Sequence, residues 1–445
     1  MCDTLVALGN TTATGATLFA KNSDRERNEA QVVERIPAAR HVAGEPLSLT
    51  YIAVPQVERT RACLLSRPFW MWGAEMGAND QGVVIGNEAV HSIVPAQRRR
   101  ALTGMDMVRL GLERADTAAQ AVEVIIALLE RHGQGGDCGH LVRFYYHNSF
   151  LIADPAEAYV LETVGRWWAL ERVAGVRSIS NALSIGENPD AVSPALAAHA
   201  RAEGWTESDG GFDFAGRLID RQRDRVSRGT ERCARAAGLL AAFAGALTVR
   251  DMMGILRDHG AAGAEPAWAP TDVQGRTICM HAGPGDRRSQ TTGALVSDLT
   301  PGAALHWITG TAAPCLSLFR PVLLDVGLPD HGPPPTDRFD DRTLWWRHER
   351  LHRAVLEDYA SRAATVAAER DRLEAGFAER VGAALRSDPG PAALLEAIRT
   401  CWREAAAAEA RWLTTIVATP RATSKSAYAR SWRRLNQAAG LRPPI

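Results

Sequence analysis

The chain has little net charge, little lysine and no long apolar run. Its 51 Lys and Arg residues match 51 Asp and Glu residues, so the formal net charge is zero. A zero balance disfavours a generally basic nucleic-acid binder. No window has about 18 uninterrupted apolar residues, so we expect no transmembrane helix. Hydrophobic residues make up 46% of the chain, and this amount of apolar surface excludes disorder over most of its length.

The sequence also lacks the signals of a secreted protein, of a disulfide framework and of a nucleotide-binding site. The N-terminus reads MCDT, with no basic region ahead of an apolar stretch, so we expect no signal peptide. The seven cysteines are odd in number and widely scattered, which is typical of reduced thiols in a cytoplasmic protein. Neither a Gly-x4-Gly-Lys-Ser/Thr loop nor a strand–Gly-x-Gly-x2-Gly–helix unit occurs, so nucleotide binding has no support.

The predicted elements alternate in blocks rather than singly. Strands are predicted over most of residues 1–100, then at 143–153, 158–163 and 166–171, and again at 276–281, 290–297 and 303–309. Helices are predicted over 103–133, 194–258, 341–385 and 391–412. Because the strands come in consecutive, hairpin-like groups, we predict an α+β fold with mostly antiparallel sheets. A doubly wound dinucleotide fold would need strict strand–helix alternation, which is absent.

A segment rich in Pro and Gly divides the chain. We predict a layered domain over residues 2–327, a linker over 328–340 and a helical extension over 341–445. The extension has a net charge of +6, and residues 411–445 hold seven basic residues and no acidic one.

The basic tail has two interpretations. A solvated or frayed end that includes Arg430, Arg433 and Arg434 is the simpler one. The alternative is docking to an acidic surface, such as the net-negative front part of a second subunit, which would make the protein a homo-oligomer through its C-terminal helices.

Cys2 is the first residue with a chemical role to weigh. Methionine aminopeptidases remove Met1 when the next side chain is small, and Cys2 would then carry a free α-amine beside its thiol. An α-amine has a pKa of about 7.7–8.0, so it can take the proton from the nucleophile of the same residue. On position alone, a small apolar residue on a first strand is the better interpretation.

Two charged residues follow at the end of the next predicted strand. Lys21 is the only lysine in the first 424 residues, which indicates a specific need for an ammonium group. A nearby cation favours a thiolate, and Asp24 can accept hydrogen bonds from an α-amine. Asn87 and Asn181 each end a predicted strand, and an asparagine amide can donate to a developing oxyanion. Taken singly, each of these residues also fits a polar turn.

Together these segments resemble the secernin and dipeptidase family of cysteine N-terminal-nucleophile hydrolases, most closely the secernins. The matching stretches are 2–4 (CDT), 21–24 (KNSD), 65–77 (LSRPFWMWGAEMG), 86–89 (GNEA), 104–109 (GMDMVR), 146–154 (YHNSFLIAD), 179–184 (ISNALS), 278–281 (ICMH) and 289–292 (SQTT). The resemblance is specific because many spaced segments agree in order, and it extends to about residue 325.

The resemblance implies a four-layer αββα sandwich of two antiparallel sheets, with a C-terminal helical extension. It implies Cys2 as the nucleophile, Lys21 and Asp24 beside it, and Asn87 and Asn181 as oxyanion- and amine-positioning asparagines. Related acylases have an arginine where this chain has Lys21, and an ammonium group lacks the bidentate contact of an arginine. No metal and no cofactor is expected in the reaction.

Further residues are candidates for substrate binding or for zinc. Arg67, Trp72, Arg143, His147 and His281 are predicted to line a substrate pocket. Core packing is the better interpretation of the tryptophan, and a surface role fits Arg67 equally well. The sequence also contains two Cys-x-His pairs, Cys138 with His140 and Cys279 with His281, which could together ligate zinc. Their spacing lacks the usual Cys-x2-Cys signature, so we favour buried thiols and hydrogen-bonded histidines.

The sequence therefore predicts a cytoplasmic hydrolase of C–N amide bonds in dipeptides or small N-acyl compounds, acting through a Cys2 acyl-enzyme. Two alternatives stay open. One is a non-catalytic, secernin-like interaction or trafficking protein on the same fold, and the other is an acyltransferase that uses the same nucleophile. We expect a small peptide or N-acyl amide as the partner, and neither nucleic acid nor membrane.

Overall fold

The computed structural model describes residues 1–187, 189–205, 212–260, 268–271, 277–285, 287–388, 390–418 and 426–442. The strands of these residues are β1 (Cys2–Ala7), β2 (Thr17–Glu26), β3 (Gln31–Ile36), β4 (Ala39–Arg40), β5 (Pro46–Ser48), β6 (Ala53–Pro55), β7 (Arg59–Thr60), β8 (Cys63–Pro68), β9 (Met76–Asn79), β10 (Val84–Val90), β11 (His147–Ala153), β12 (Ala158–Val164), β13 (Trp167–Arg172), β14 (Val176–Ile179), β15 (Ala191–Val192), β16 (Ser289–Leu299), β17 (Leu305–Ile308) and β18 (Arg320–Val322). Their α-helices are α1 (Gly104–Arg114), α2 (Ala118–His132), α3 (Pro194–Ala202), α4 (Phe214–Leu218), α5 (Arg221–Ser227), α6 (Gly229–Ala242), α7 (Val249–Leu256), α8 (Leu344–Leu356), α9 (Tyr359–Ser387), α10 (Pro391–Ala418) and α11 (Ala427–Ala439).

Two large antiparallel sheets organise the first 325 residues. One sheet has the strand order β14-β1-β2-β16-β17-β18, and the other has the order β15-β13-β12-β11-β10-β9-β8-β3. Neighbouring strands pair antiparallel in both sheets. Strands β4 and β7, and strands β5 and β6, form two small separate ribbons.

The two sheets pack face to face, and Gly86 of β10 marks the closest approach. A Cβ atom at this glycine would lie 2.4 Å from Cδ of Lys21 and 3.2 Å from both the Phe19 ring and the Thr4 hydroxyl. Only a residue without a side chain leaves room for the side chains of β1 and β2 at this point. Glycine at this position therefore allows the ionic group of Lys21 to lie between the sheets.

Helices cover the outer face of each sheet. Helices α1 and α2 lie over the eight-stranded sheet and share an apolar cluster with β8, β10, β11 and β12. Helices α6 and α7 lie over β1, β2, β14 and β16 of the six-stranded sheet. The order of layers is helix, sheet, sheet, helix, so the predicted αββα sandwich is confirmed.

Local sequence signals explain where several elements begin and end. The Thr117 side chain caps α2 by accepting a hydrogen bond from the Gln120 amide, and Gly133 follows the helix with φ of 72°. The Thr248 hydroxyl caps α7 in the same way. The predicted strand over 276–281 is wrong for the described residues 277–281, which form an irregular segment, and Arg276 lies outside the described residues.

The C-terminal helices pack onto the edge of the six-stranded sheet. Helices α9 and α10 contact β18, and one apolar cluster includes Leu316 and Val322 together with Val366, Phe377 and Trp402. Segment 328–340 contains neither helix nor strand. The domain boundaries placed at this segment stay a prediction, while the core itself continues from one side of the segment to the other.

The basic tail contains a packed helix rather than a frayed end. In α11, Tyr428 and Trp432 are buried against Ala282 and Leu356. The described residues 426–442 are therefore not frayed, because one face of α11 is apolar and covers the body of the protein. Arg430, Arg433 and Arg434 are exposed on this helix, as expected for a solvated surface. Lys425 and its neighbours at 419–424, and residues 443–445, lie outside the described residues. None of the described helices combines the length and the apolar character needed to cross a membrane.

Candidate active site

Cys2 lies at the end of the sandwich, on the floor of a cavity. It begins β1, pairs with Ser23 of β2, and has 4% of its surface exposed. The cavity has a volume of about 590 Å³, and its wall includes Met1, Cys2, Asp24, Glu75 and Asn181. The first strand therefore delivers a thiol and the backbone nitrogen of the same residue to one enclosed space.

The main-chain nitrogen of Cys2 is held by an asparagine. It donates a hydrogen bond of 2.6 Å to Oδ1 of Asn181, and Nδ2 of Asn181 donates to the Ala89 carbonyl at 2.8 Å. Asn181 follows β14, the strand that pairs with β1. The register between these two strands therefore places Asn181 beside the Cys2 nitrogen. The bond fixes the direction of the Cys2 nitrogen relative to its own thiol.

A buried arginine orients Asn181 in turn. Arg232 of α6 has no exposed surface, and its Nη2 donates to Oδ1 of Asn181 and, at 2.9 Å, to the Ser180 hydroxyl. Its Nε forms an ion pair of 3.1 Å with Asp3, which is also fully buried. Because both charges are paired and hydrogen-bonded, the network is a rigid support for the Cys2 end of β1.

Asp24 provides a carboxyl group on the other side of Cys2. Its main-chain nitrogen donates to Sγ of Cys2 at 3.4 Å, and its Oδ1 accepts a 2.6 Å hydrogen bond from Thr291. Its Oδ2 is buried and accepts no hydrogen bond from the described residues. Burial raises the pKa of Asp24 to about 7, while the nearby N-terminal amine opposes that shift.

Lys21 lies behind Cys2, between the two sheets. Its Nζ donates to the Asn87 carbonyl at 2.6 Å and to Oε1 of Glu88 at 2.9 Å, and both side chains of this ion pair are fully buried. Burial alone lowers the pKa of Lys21, but Cys2, Glu88 and Glu75 outweigh it and raise the pKa above its ordinary value. Burial raises the pKa of Glu88 to about 7, with Lys21 opposing. Lys21 also donates to a main-chain carbonyl and Glu88 also accepts from the Thr4 hydroxyl, so we take both groups as charged.

The Cys2 side chain is a thiol at neutral pH. Burial raises its pKa to about 11, although Lys21 and the N-terminal amine act in the opposite direction. Its sulfur lies 4.0 Å from Oε2 of Glu75. A thiol with such a pKa needs a base before it can attack a carbonyl, since the thiolate is the nucleophile.

Charged and apolar side chains divide the cavity wall. Near the floor, Arg25 pairs with Glu29 at 2.6 Å and with Glu75 at 3.2 Å. The outer wall is apolar at Val142 and Phe144, which are exposed in part. Further lining residues at this entrance are Arg143, Arg223, Val226 and Arg288. The entrance therefore combines apolar and cationic groups.

The structure brings together only part of the predicted site. Cys2, Asp24, Asn181 and Arg143 line this cavity, and Lys21 lies directly behind it. Asn87 does not reach the thiol, because neighbouring residues of a strand face opposite sides and Glu88 takes the inner side. Nδ2 of Asn87 instead donates to Asn148 at 3.0 Å, under helix α1.

The remaining predicted substrate-binding residues lie elsewhere. Arg67 pairs with Glu34, and its Nη1 donates to main-chain carbonyls that include that of Met71. The Trp72 ring lies under the Arg109 guanidinium, 4.1 Å from its carbon. Both side chains are occupied by neighbours in the wall of the sandwich, and neither lines the Cys2 cavity.

The two predicted histidines also lie outside the Cys2 cavity. His147 accepts a hydrogen bond from the Gly165 amide, contacts the Val94 carbonyl at 3.0 Å, and lines a neighbouring cavity of about 630 Å³. Burial lowers the pKa of His147, so its ring is neutral. His281 lies among cysteine and histidine side chains beside α7.

Sequence reasoning missed Arg232 and Glu75. Arg232 stands in a helical block with many arginines, where no spacing distinguishes the one that turns inward. Glu75 belongs to the 65–77 segment that carries the family resemblance, so its place in that segment was the available signal. Their contacts depend on α6 and β9 meeting at the end of β1, and this arrangement is tertiary.

No protein-family model matches the chain. Among solved structures, the chain is similar to a C2A mutant of the conjugated bile acid hydrolase from Clostridium perfringens, with 12% identity, 77% of this chain and 98% of that chain covered, and a TM-score of 0.47. It is also similar to penicillin V acylase from Agrobacterium tumefaciens, with 12% identity, coverage of 72% and 86%, and a TM-score of 0.40. A third similar structure is the Caenorhabditis elegans ortholog of N-acylethanolamine-hydrolyzing acid amidase, with 10% identity, 68% of this chain and 94% of that chain covered, and a TM-score of 0.34. Similarities of this size carry no argument about function.

Proposed function

We propose that this chain is a cysteine N-terminal-nucleophile hydrolase of C–N amide bonds, related to the secernins and dipeptidases. The observation that carries the proposal is the 2.6 Å hydrogen bond from the Cys2 nitrogen to Asn181, at the floor of a cavity that also holds the Cys2 thiol. The nucleophile, which is the Cys2 thiol, and the candidate base, which is the Cys2 nitrogen, thus belong to one residue and lie at one cavity. Removal of whatever precedes Cys2 turns its nitrogen into an amine.

The protonation state of the thiol supports the need for such a base. With a pKa near 11, the Cys2 thiol is uncharged at neutral pH. A free α-amine has a pKa of about 7.7–8.0, so about 10–20% of it is unprotonated at pH 7, far more than the fraction of the thiol that is ionised. Asp24 has a buried carboxyl oxygen without a hydrogen-bond donor among the described residues, and this oxygen is available to the amine. Amine and thiol then exchange a proton over a short distance.

The reaction proceeds in two halves. The Cys2 amine takes the thiol proton as the sulfur attacks the carbonyl carbon, and a tetrahedral oxyanion forms. The amine then gives the proton to the leaving nitrogen, the C–N bond breaks, and a thioester on Cys2 remains. Water, deprotonated by the same amine, attacks the thioester and releases the carboxylic acid and the thiol.

Asn181 has two roles in this scheme. Its Oδ1 accepts from the amine, and its Nδ2 donates one hydrogen to the Ala89 carbonyl at 2.8 Å and has a second N–H, which we assign to the oxyanion. Arg232 acts as a positioning residue, because it touches Asn181 and Ser180 rather than the cavity. The Lys21 ammonium group stabilises negative charge on the sulfur from behind.

The cavity entrance indicates the class of substrate. Val142, Phe144 and Val226 offer an apolar surface, and Arg143 and Arg223 lie beside it. A dipeptide or small N-acyl compound with an apolar side and a free carboxylate matches both features, since guanidinium groups bind carboxylates in two-point contacts. Arg143 lines both the Cys2 cavity and the neighbouring cavity. It is therefore the first side chain to substitute in a test of substrate binding.

The proposal is tested with the wild-type protein and with two thiol variants. We expect the wild-type protein to start at Cys2 by intact mass and to hydrolyse at least one compound in a panel of dipeptides and N-acyl amides. Cys2→Ala should lose all turnover and keep the thermal unfolding midpoint. Cys401→Ala, in helix α10, is the matched control and should keep its activity, because that thiol lies far from the cavity.

Other results would change the conclusion. Full activity of Cys2→Ala, or full activity of protein that retains Met1, would contradict the mechanism. Product appearing only when an amine or thiol acceptor is added would indicate acyl transfer instead of hydrolysis. No turnover of any compound, together with a stable partner that requires residues 341–445, would favour the interaction protein.

A further inference from the structure

Four side chains with metal-binding atoms meet away from the Cys2 cavity. His259 follows helix α7, Cys279 and His281 belong to the irregular segment before β16, and Cys315 lies between β17 and β18. The ligand atoms of all four lie within 4.8 Å of one another. Three of the side chains are buried and His259 is half-buried, so three distant parts of the chain converge on one enclosed point.

Hydrogen bonding does not account for this arrangement. Nε2 of His281 lies 3.2 Å from Nε2 of His259, 3.5 Å from the sulfur of Cys279 and 3.4 Å from the sulfur of Cys315. One ring nitrogen has either one proton or one lone pair, so it can serve one of these three neighbours. A single cation between the four atoms satisfies all of them at once.

The distances match those of a tetrahedral zinc site. With Zn–N bonds of about 2.0–2.1 Å and Zn–S bonds of about 2.3 Å, tetrahedral angles place the two nitrogens about 3.3 Å apart and each nitrogen about 3.6 Å from each sulfur. The observed separations are 3.2 Å for the nitrogens and 3.4 and 3.5 Å for nitrogen and sulfur. Two thiolates also neutralise the double charge of the ion, which a buried site requires.

We propose that His259, Cys279, His281 and Cys315 bind one Zn²⁺ ion in a closed structural site. Four protein ligands fill a tetrahedral shell and leave no open position for water or substrate, as in structural rather than catalytic zinc sites. None of the four residues lines the Cys2 cavity. The ion therefore belongs to the folding of the chain and not to the amide chemistry.

Surrounding residues hold the four ligands in place. The indole of Trp268 stacks on the His259 ring, with 3.7 Å between centroids and planes 7° apart. The Tyr359 hydroxyl donates to the sulfur of Cys315 at 3.5 Å, and the Arg370 side chain donates to the Cys315 carbonyl. Both of these donors belong to α9, so the site joins the layered part of the chain to its C-terminal helices.

One main-chain bridge connects the site to the Cys2 end of the sandwich. Met280, between two of the ligands, exchanges hydrogen bonds of 3.0 Å with the main chain and hydroxyl of Thr291. The same hydroxyl donates to Asp24 at 2.6 Å. Zinc at this point fixes the segment on which Thr291 depends, although the zinc proposal itself does not rest on the proposed activity.

The other Cys-x-His pair lacks this environment and provides the control. His140 packs edge-on against the Phe69 ring, at 5.1 Å between centroids, and contacts Asp337 at 3.6 Å. The Cys138 sulfur lies near the Gly136 carbonyl at 3.9 Å. The described residues show no further group of three or more metal-binding side chains, so the pair at 138 and 140 should not bind zinc.

The experiment measures metal content in protein purified without a histidine tag. After dialysis against metal-free buffer, elemental mass spectrometry should find one zinc per chain in the wild-type protein. Cys279→Ser and Cys315→Ser should each lose most of the zinc, whereas Cys138→Ser should keep it. Replacement of zinc by Co²⁺ should give the visible absorption of a tetrahedral cobalt site with thiolate ligands.

Two wild-type measurements keep the test decisive where a cysteine variant does not fold. Blocking the thiols with a mercurial reagent should release one zinc per chain to a chromophoric chelator. Stripping the metal from the wild-type protein should lower its thermal unfolding midpoint, and added Zn²⁺ should restore it. A wild-type protein that holds no zinc and takes up none from a buffered solution would overturn the proposal, as would a loss of two mass units from a disulfide between Cys279 and Cys315.

Discussion

Lys21 places a charged group between the two sheets, where it has no exposed surface. Its ammonium group has Glu88 and one main-chain carbonyl as partners, and the Thr4 hydroxyl donates to the same carboxylate. Removing one member of a buried ion pair leaves the other charge without compensation, which costs more than the pair itself contributes. The chain uses arginine almost everywhere else, and here the Lys21 side chain passes directly beside Gly86.

This buried ion pair gives a first prediction. Lys21→Met should lower the free energy of unfolding by about 3–5 kcal/mol, because Glu88 remains buried and unpaired. Glu88→Gln should also destabilise the protein, and the double variant should be more stable than the sum of the two losses predicts. Urea unfolding of the four proteins measures this coupling. Strictly additive losses would contradict the buried pair.

The two asparagines give a second prediction. Asn181→Ala should lower kcat by a factor of about 10²–10³, the usual loss for a missing oxyanion donor, and should also lower the unfolding midpoint, because buried Arg232 loses an acceptor. Asn87→Ala should act mainly on the unfolding midpoint, because its amide bonds Asn148 beneath α1. Steady-state kinetics and thermal unfolding of both variants separate the roles. Equal losses of kcat would show that Asn87 reaches the reacting atoms.

The site was partly predictable at this scale. Cys2, Asp24 and Asn181 stand at strand ends that the sequence pattern places near one another, and the structure brings them to one cavity. Asn87 sits on a strand whose inner face belongs to Gly86 and Glu88, and a shift of one residue changes the face. The side chains of Arg67, Trp72 and His147 have tertiary partners that no spacing in the sequence reveals.

At the scale of elements, the close packing of β10 against β2 gives a third prediction. Gly86→Ala should lower the free energy of unfolding by about 1–3 kcal/mol, because its Cβ would overlap Cδ of Lys21. Gly238→Ala is the matched control. This glycine is exposed within α6 and has nothing within 4 Å, so alanine there should stabilise the helix by about 0.5–1 kcal/mol.

Chemical unfolding measures both glycine variants. If Gly86→Ala were as stable as the wild-type protein, the two sheets would be further apart at this point than the structure places them. A loss of stability in Gly238→Ala would show instead that alanine has a general cost in this chain, unrelated to the sheet contact.

Elements with strong local signals could be predicted, and those without them could not. Helix α2 begins after Thr117 and ends before Gly133, as its capping pattern predicts. The predicted helix over 341–385 is two helices, because Glu357 and Asp358 separate α8 from α9 and Asp358 has φ of −152°. Nothing in the apolar periodicity marks this break, and its position follows from the packing of Tyr359 against Cys315 and the histidine rings.

At the scale of the whole molecule, a buried ionic contact joins the C-terminal helices to the sheet. Glu409 of α10 forms an ion pair of 2.8 Å with Arg320 of β18 and contacts His348 at 3.0 Å. Burial opposes ionisation of Glu409, but Arg320 and His348 outweigh it and lower its pKa to about 2. The ordinary pKa of a glutamate is about 4.3.

The sign of this shift gives the fourth prediction. Because the pKa of Glu409 is lower in the folded protein than in the unfolded chain, its ionised carboxylate contributes fully to the free energy of unfolding above about pH 4.3. This contribution disappears as the pH falls toward 2. Glu409→Gln should therefore lower the thermal unfolding midpoint at pH 6 and weaken its fall between pH 5 and pH 2. Glu396→Gln is the control, since Glu396 is exposed on the same helix. Equal pH slopes for both variants would contradict the role of Glu409.

The overall architecture was predictable because several signals agree. Strands in consecutive groups, helices with recognisable caps and the family resemblance all indicate an αββα sandwich. The relation of the C-terminal helices to the sheet was not predictable, because it depends on single buried contacts such as those of Glu409 and Arg257. The same holds for the meeting of His259, Cys279, His281 and Cys315, since the matching sequence pattern at Cys138 and His140 lies elsewhere.

The proposed reaction requires that the Cys2 thiol becomes acylated while its own α-amine is free. The most direct measurement is mass spectrometry of the intact protein and of its N-terminal peptide, taken in the steady state of a slowly hydrolysed N-acyl substrate. We predict a chain that starts at Cys2, with the mass of the acyl group on the Cys2 sulfur. Turnover by protein that retains Met1, or an acyl group on another residue, would contradict the claim.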